Sequence, residues 1–371
     1  VSPLDSRQRH QLVERLLEIA QTPAPTFAEG QRATLIARLW AGFGLHPEVD
    51  AVGNVIARVP GSKRGSPRLC LAAHLDTVFE AGTDLSVRRE SDRLIGPGVG
   101  DNASSLTVLT AYLEMLTSEG VSAPCELVCV ATTGEEGLGD LRGAKHLIAQ
   151  HHQDMDAFVA VDGYLGLVVD RAVGVRRYRA AFRTEGGHSW GNAGGPSAIH
   201  ALGEAIHDLY RIPLAQDPRA TLNVGTVVGG TSVNSIASHA ELLLDLRSTD
   251  EPTLEMLEGS ARSALQRSAR RARAELELEK VGDRPAGETR SDALVRAASR
   301  ALERVGITPR RVASSTDANA AVPYKLPAVA FGVYRGGNAH RLDEWVEPAS
   351  LETGVHALEA FVKVFEEQGR R

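Results

Sequence analysis

The sequence predicts an α/β fold: a mixed, largely parallel sheet flanked by helices, with an inserted ferredoxin-like α+β domain. Three observations predict it. Short apolar runs alternate with helix-length amphipathic stretches up to about residue 171. From there to about residue 284 the order becomes strand, helix, strand, strand, helix, strand. Beyond residue 285 the first pattern resumes. Strand–helix alternation builds parallel sheets covered by helices, and the six-element order is the ferredoxin-like one. A chain of 371 residues is also too long for one small core. The expected division is a main domain in two parts, 1–171 and 285–371, around an insert at 172–284.

Each element has its own signal. Residues 7–21 read as an amphipathic helix because Leu12, Leu16, Leu17 and Ile19 fall on one face. A second helix is read at 27–43. NVIARVP and RLCLAA are short apolar runs that suit strands. LTVLTAYLEML, after Asp101, reads as a helix, ELVCVATT as a strand, LRGAKHLIAQ as a helix and AFVAVD as a strand. VGVRRYRAAFRTEG alternates like an exposed antiparallel strand. A helix at about 196–210, the strands TLNVGTVVGG and AELLLDLRST, and a charged helix at about 251–273 follow. The arginine-rich RSARRARAELELE reads as a solvated helix face rather than a nucleic-acid patch. A helix at 291–304, the strand LPAVAFGV and a last helix from about Pro348 close the chain.

Composition narrows the class. Hydrophobic residues make up 43% and charged residues 24%, as in ordinary globular proteins. A net charge of -6 lacks the basic excess of a nucleic-acid binder. No apolar stretch approaches the roughly 20 residues that span a membrane. Cys70, Cys125 and Cys129 are odd in number and lie in or beside apolar runs, so buried free thiols and a reducing cytoplasm are expected. VSPLDSRQRHQ shows no basic start followed by an apolar core, the signal-peptide pattern.

Metal-ligand chemistry is strung along the chain at the ends of strand-like runs. It comprises His74 and Asp76 in LAAHLDT, Asp101 in GVGDNAS, Glu135 and Glu136 in TTGEEG, Asp162 in AVDG, and His340 in NAHRLDE. Open α/β sheets gather such strand ends into one crevice. Imidazoles and carboxylates without cysteine suit a catalytic zinc, cobalt or manganese pair better than a structural zinc. His74 and Asp76 stand two apart, so they point the same way at a strand end. One can ligate while the other tunes the site from behind. Asp101 can bridge two ions with its two oxygens. Side chains of the adjacent Glu135 and Glu136 diverge, so one can ligate while the other takes a proton. Singly each has an ordinary reading: Asp101 a helix cap, the Glu pair a solvated loop, Asp162 a turn former, His340 a surface histidine. Their shared position at strand ends favours the joint one.

At these residues the sequence resembles the M20 family of dinuclear zinc peptidases and amidohydrolases, over nearly the whole chain. The resemblance implies that His74 and Asp162 hold one metal, Glu136 and His340 the other, and Asp101 both. It makes Asp76 the acid behind the site and Glu135 the general base. It extends to the insert, as a dimerisation or lid domain. There His188 in GGHSW would steady the oxyanion, and Asn234 in GGTSVNSI and Arg247 in DLRS would bind the substrate's carboxylate end. NASS after the bridging aspartate Asp101 departs from the family's usual lysine and glycines and looks more like the M28 aminopeptidases. The resemblance also implies a peptidase acting on di- and tripeptides, because such members tend to carry Asp at the position of Asp162 where deacylases and carboxypeptidases tend to carry Glu. The expected enzyme is thus a two-metal amide hydrolase for small peptides, zinc ahead of cobalt or manganese, working as a homodimer through the insert. No nucleic-acid or membrane partner is expected. The alternative is an N-acyl-amino-acid deacylase or carboxypeptidase using the same site. A non-enzymatic scaffold would be expected to have lost a member of the series.

Overall fold

The computed structural model describes residues 3–63, 65–118, 123–289 and 292–369. The chain forms two compact units, one of residues up to Ala172 together with those from Glu288 onward, the other Val173–Gly287. The first unit begins with α1 (Ser6–Ala20) and α2 (Gly30–Gly42). Asp5 starts α1 with a capping box: its side chain accepts from the Gln8 amide, and the Gln8 side chain accepts from the Asp5 amide. Then come β1 (Val55–Val59), β2 (Arg68–His74), α3 (Ala103–Ser118), β3 (Glu126–Thr132), α4 (Arg142–His151), β4 (Ala157–Val161) and β5 (Leu167–Ala172).

The second unit contains β6 (Gly174–Arg183), α5 (Ala198–Leu209), β7 (Ala220–Gly229), β8 (His239–Ser248), α6 (Glu251–Arg271) and β9 (Glu275–Arg284). Its sheet has the order β7-β8-β6-β9, antiparallel throughout, which is the ferredoxin-like arrangement. Two sequence expectations fail here. β6 is not an exposed strand: it pairs on both sides and most of its residues are buried. Its arginines mimic a solvated face, but Arg176 is buried among Glu251, Glu258 and Asp283. RSARRARAELELE is likewise not one helix face. α6 ends at Arg271, and ELELE belongs to β9, where Leu276 and Leu278 pack against the core. Period two outweighs charge there.

The chain returns to the first unit with α7 (Asp292–Arg304), β10 (Arg310–Ser314), β11 (Ala328–Phe331) and α8 (Ala349–Gly369). Ser291, the expected first residue of α7, lies outside the described residues. The main sheet runs β1-β3-β2-β4-β11-β5, with β10 also on β5. The pairs β3–β2, β2–β4, β4–β11 and β5–β10 are parallel; β1–β3 and β11–β5 are antiparallel. β2 shows why the centre is covered on both faces. Leu69, Leu71 and Ala73 join the cluster under α1, α3 and α8, while Cys70 and Ala72 join the one under α4. A near-continuous apolar run is what a strand buried on both faces requires. Cys70, Cys125 and Cys129 are buried free thiols. No described helix is long and apolar enough to cross a membrane.

Candidate metal centre

Three parallel strands end together, and four of the ligand candidates sit at or just beyond those ends. His74 is the last residue of β2, Asp162 follows β4 directly, and Glu135 and Glu136 lie three and four residues beyond the end of β3. Asp101 precedes α3 by two residues, and His340 lies in the loop between β11 and α8. Ligand atoms of His74, Asp101 and Asp162 lie within 4.8 Å of one another, and so do those of Asp101, Glu136 and His340. Asp101 belongs to both groups. Its Oδ1 is 3.0 Å from His74 Nε2, and its Oδ2 is 3.2 Å from His340 Nε2. His340 Nε2 is also 2.9 Å from Glu136 Oε1.

Asp76 is buried and organises the Glu135–Glu136 loop. Its Oδ1 accepts from the Glu135 amide and its Oδ2 from the Glu136 amide, each at 2.9 Å. Thr26 Oγ1 donates to the same Oδ2 at 2.9 Å. The Asp76 carbonyl lies 3.0 Å from His74 Nδ1, which leaves His74 Nε2 to face Asp101. Ligating histidines are commonly fixed by such a partner on the other ring nitrogen.

The electrostatics fit a cation. Burial and the nearby Asp101 charge push Asp162 up to about 7. Burial works against Asp101 as well, but hydrogen bonds from His340 and His74 hold it well below the usual carboxylate range. Hydrogen bonds to Asp101 and Glu136 lift His340 to about 10. Burial disfavours charged His74, yet Asp101 and Asp76 keep its pKa well above the usual value. So many acids converging on two imidazoles is a donor set that a pair of divalent ions would neutralise.

Sequence reasoning missed three acids around this centre. Glu344 is buried and accepts from the Gly98 and Asp101 amides, each at 2.8 Å. Burial and the Asp101 charge push it up to about 8. A Cβ at Gly100 would lie 2.6 Å from Glu344 Oε1, so only glycine allows this approach. Asp317 accepts from Thr132 Oγ1 at 2.6 Å, and Thr132 is the β3 partner of His74. Glu29 accepts from the Phe27 and Gly134 amides, each at 3.0 Å. The one signal for Glu344 was its place in NAHRLDE, four residues after His340.

His188, Asn234 and Arg247 belong to the second unit. His188 pairs with Ser235 in a two-stranded ladder, and the Asn234 carbonyl accepts from the Ser189 amide at 3.0 Å. Amides of Trp190 and Gly191 donate to His188 Nδ1 at 3.2 Å, so the ring proton sits on exposed Nε2. Arg247 is elsewhere: it is eight residues along β8 from His239, or roughly 27 Å at strand rise. There Asp245 holds it at 2.6 Å and also accepts from Arg177 at 2.9 Å. The unit thus brings His188 and Asn234 together but not Arg247.

Residues 70–364 match peptidase family M20/M25/M40. The uncharacterized protein YqjE of Bacillus subtilis is 24% identical over 97% of this chain and 98% of its own. Acetylornithine deacetylase of Pectobacterium carotovorum is 27% identical over 62% of this chain and 64% of its own. A crystal structure of a tripeptidase from Staphylococcus aureus superposes with a TM-score of 0.81 at 22% identity, covering 97% of this chain and 99% of that one. With strand-end ligand groups and this match over most of its length, the chain belongs to the M20/M25/M40 peptidases and is an enzyme of their metallopeptidase and amidohydrolase class.

Proposed function

We propose that the enzyme hydrolyses amide bonds in small peptides with two divalent ions, zinc ahead of cobalt or manganese. The observation that carries this is Asp101, which offers one oxygen to each of two ligand groups. His74, Asp101 and Asp162 would hold one ion, and Asp101, Glu136 and His340 the other. Such ions polarise a carbonyl and ease deprotonation of water. Glu135 takes the proton of the attacking water and returns it to the leaving nitrogen. Asp76 fixes the backbone that carries both Glu135 and Glu136, and a carboxylate oxygen of each lies within 4.8 Å of the other and of His74, which keeps the base beside the ligands.

In the insert, His188 Nε2–H donates to the oxygen that gains charge. Asn234 and Arg247 bind the substrate's carboxylate end, and an arginine fork suits that group. The roughly 27 Å between Arg247 and the far end of β8 exceeds the length of a dipeptide. That far end pairs with Arg183, five residues before His188, so the separation supports a homodimer in which one copy supplies Arg247 and the other His188. β7 supports it too, as an uncharged edge strand with Val227 and Val228 exposed. The opposite edge, β9, is guarded by Glu275, Glu277 and Glu279. The three buried thiols support a cytoplasmic setting.

The deacetylase relative favours one second reading, hydrolysis of N-acyl amino acids at the same centre. A panel of di- and tripeptides against matched N-acetyl amino acids, run with zinc, cobalt and manganese, tests both. Faster cleavage of the peptides supports the first reading; much faster cleavage of the acyl amino acids replaces it with the second.

A further inference from the structure

The two loops that carry Asp76, Glu135 and Glu136, and the Thr26 loop bonded to Asp76, also carry large apolar side chains into solvent. Phe27 is 59% exposed, Val78 38% and Leu138 45%. Val78 follows Asp76 by two residues, and Leu138 follows Glu136 by two. Phe27 adjoins Thr26, whose hydroxyl binds Asp76.

The three loops are fastened to one another. Pro25 bridges Thr77, and the Thr77 amide donates to the Ala24 carbonyl at 2.9 Å. Glu29 Oε1 takes the amides of both Phe27 and Gly134. A Cβ at Gly139 would lie 2.7 Å from Thr26 Cγ2, so the Leu138 turn presses on the Phe27 loop.

Phe27 has φ +73, a left-handed conformation unusual for an aromatic residue. Glycine or asparagine would meet that turn at lower cost. Glu29 holds the Phe27 amide, and the Arg142 guanidinium lies 5.6 Å from the ring centroid. A strained, anchored and exposed ring beside a catalytic loop is a candidate for substrate contact.

We propose that Phe27, Val78 and Leu138 form an apolar rim that receives an aliphatic or aromatic side chain of the peptide. The enzyme then selects apolar residues next to the scissile bond. This rests on the peptide-hydrolase reading and adds the side-chain class. No ion or titration is needed for the contact: its strength comes from removing an apolar side chain from water.

The test is kcat/KM for Leu-Gly, Gly-Leu, Ser-Gly and Gly-Ser, with binding of L-leucine hydroxamate and L-serine hydroxamate by calorimetry. The readout is the leucine-to-serine ratio. The wild type should favour leucine by about 10- to 100-fold in at least one peptide position, the range for one buried side chain. Phe27→Ser with Leu138→Ser should cut the ratio below about threefold, and Phe27→Leu should keep most of it. Thermal melting shows whether each variant folds; should the double variant not fold, the two single variants must each lower the ratio. A wild-type ratio near one, or a ratio that survives in the folded serine variants, overturns the rim while peptide hydrolysis stands. If no peptide is cleaved, the hydrolysis reading fails by itself, and the hydroxamate ratio decides the rim: equal affinities overturn it.

Discussion

Replacing Glu344 by glutamine tests how Asp101, the proposed bridge between the two ions, is held. Glu344 accepts two backbone amides, from Gly98 and Asp101, and each bond is 2.8 Å. Glutamine keeps one acceptor oxygen and turns an NH2 toward the other amide. One buried N–H loses its partner, at a cost of about 1–3 kcal/mol. Expressed wholly in the metal-bound arrangement, that is a loss of about 5- to 150-fold in metal affinity. Outer-layer partners of metal ligands typically cost 10- to 100-fold, in the same range. The assay is competition for zinc or cobalt against a chromophoric chelator, with melting curves to confirm the fold. Glu344→Asp keeps the carboxyl group but shortens the reach, so it separates position from the loss of an acceptor oxygen. Metal affinity within twofold of wild type in a folded Glu344→Gln protein would refute the reasoning.

Glu135→Gln should retain both ions by elemental analysis yet lose about 100- to 10,000-fold in turnover, the usual cost of a missing general base. Should Glu136→Gln instead abolish turnover without metal loss, the two roles are exchanged. Exhaustive chelation should abolish activity, and zinc, cobalt or manganese should restore it; undiminished activity at zero metal content would contradict the two-ion reading. Amidating the peptide's C-terminus should raise KM, and Arg247→Ala should erase that difference, since the fork then has no carboxylate to lose. Asp245 is half-buried: burial opposes its charge, but Arg247 and Arg177 hold its pKa below the usual value. A depressed acid adds stability above its unfolded value of about 3.9 and loses it as pH falls through the lower folded one. The unfolding free-energy gap between wild type and Asp245→Asn, from urea titrations, should stay level from pH 7 to 5 and shrink below pH 4.

Two of the ligand candidates, His74 and Asp162, were legible because each stood where an apolar strand-like run stopped, whereas Asp101 precedes a helix and His340 lies in a loop. His74 ends a run of buried residues, and Asp162 ends another. Glu344 escaped because its partners are amides of a glycine loop some 240 positions away, and backbone donors leave no mark in sequence. Glu29 escaped for the same reason: it serves the Gly134 amide across 105 positions. β5 and β10 escaped because they are short and carry polar residues such as Asp170 and Arg311, which pair with each other. β6 was misjudged because buried Arg176 looks like a solvent-facing residue until its three acids are placed. Ion pairs across elements are invisible to a reading that sees only neighbours in sequence.

The two ends of the insert meet. A Cβ on Gly174, at its start, would lie 2.6 Å from the Ala286 side chain near its finish. An insertion whose entry and exit coincide asks little of its host, because a short linker could close the gap left by its removal. The unit is therefore a cassette. Its edge strand and both its connections can be exchanged as one piece, while the main sheet of the host stays untouched.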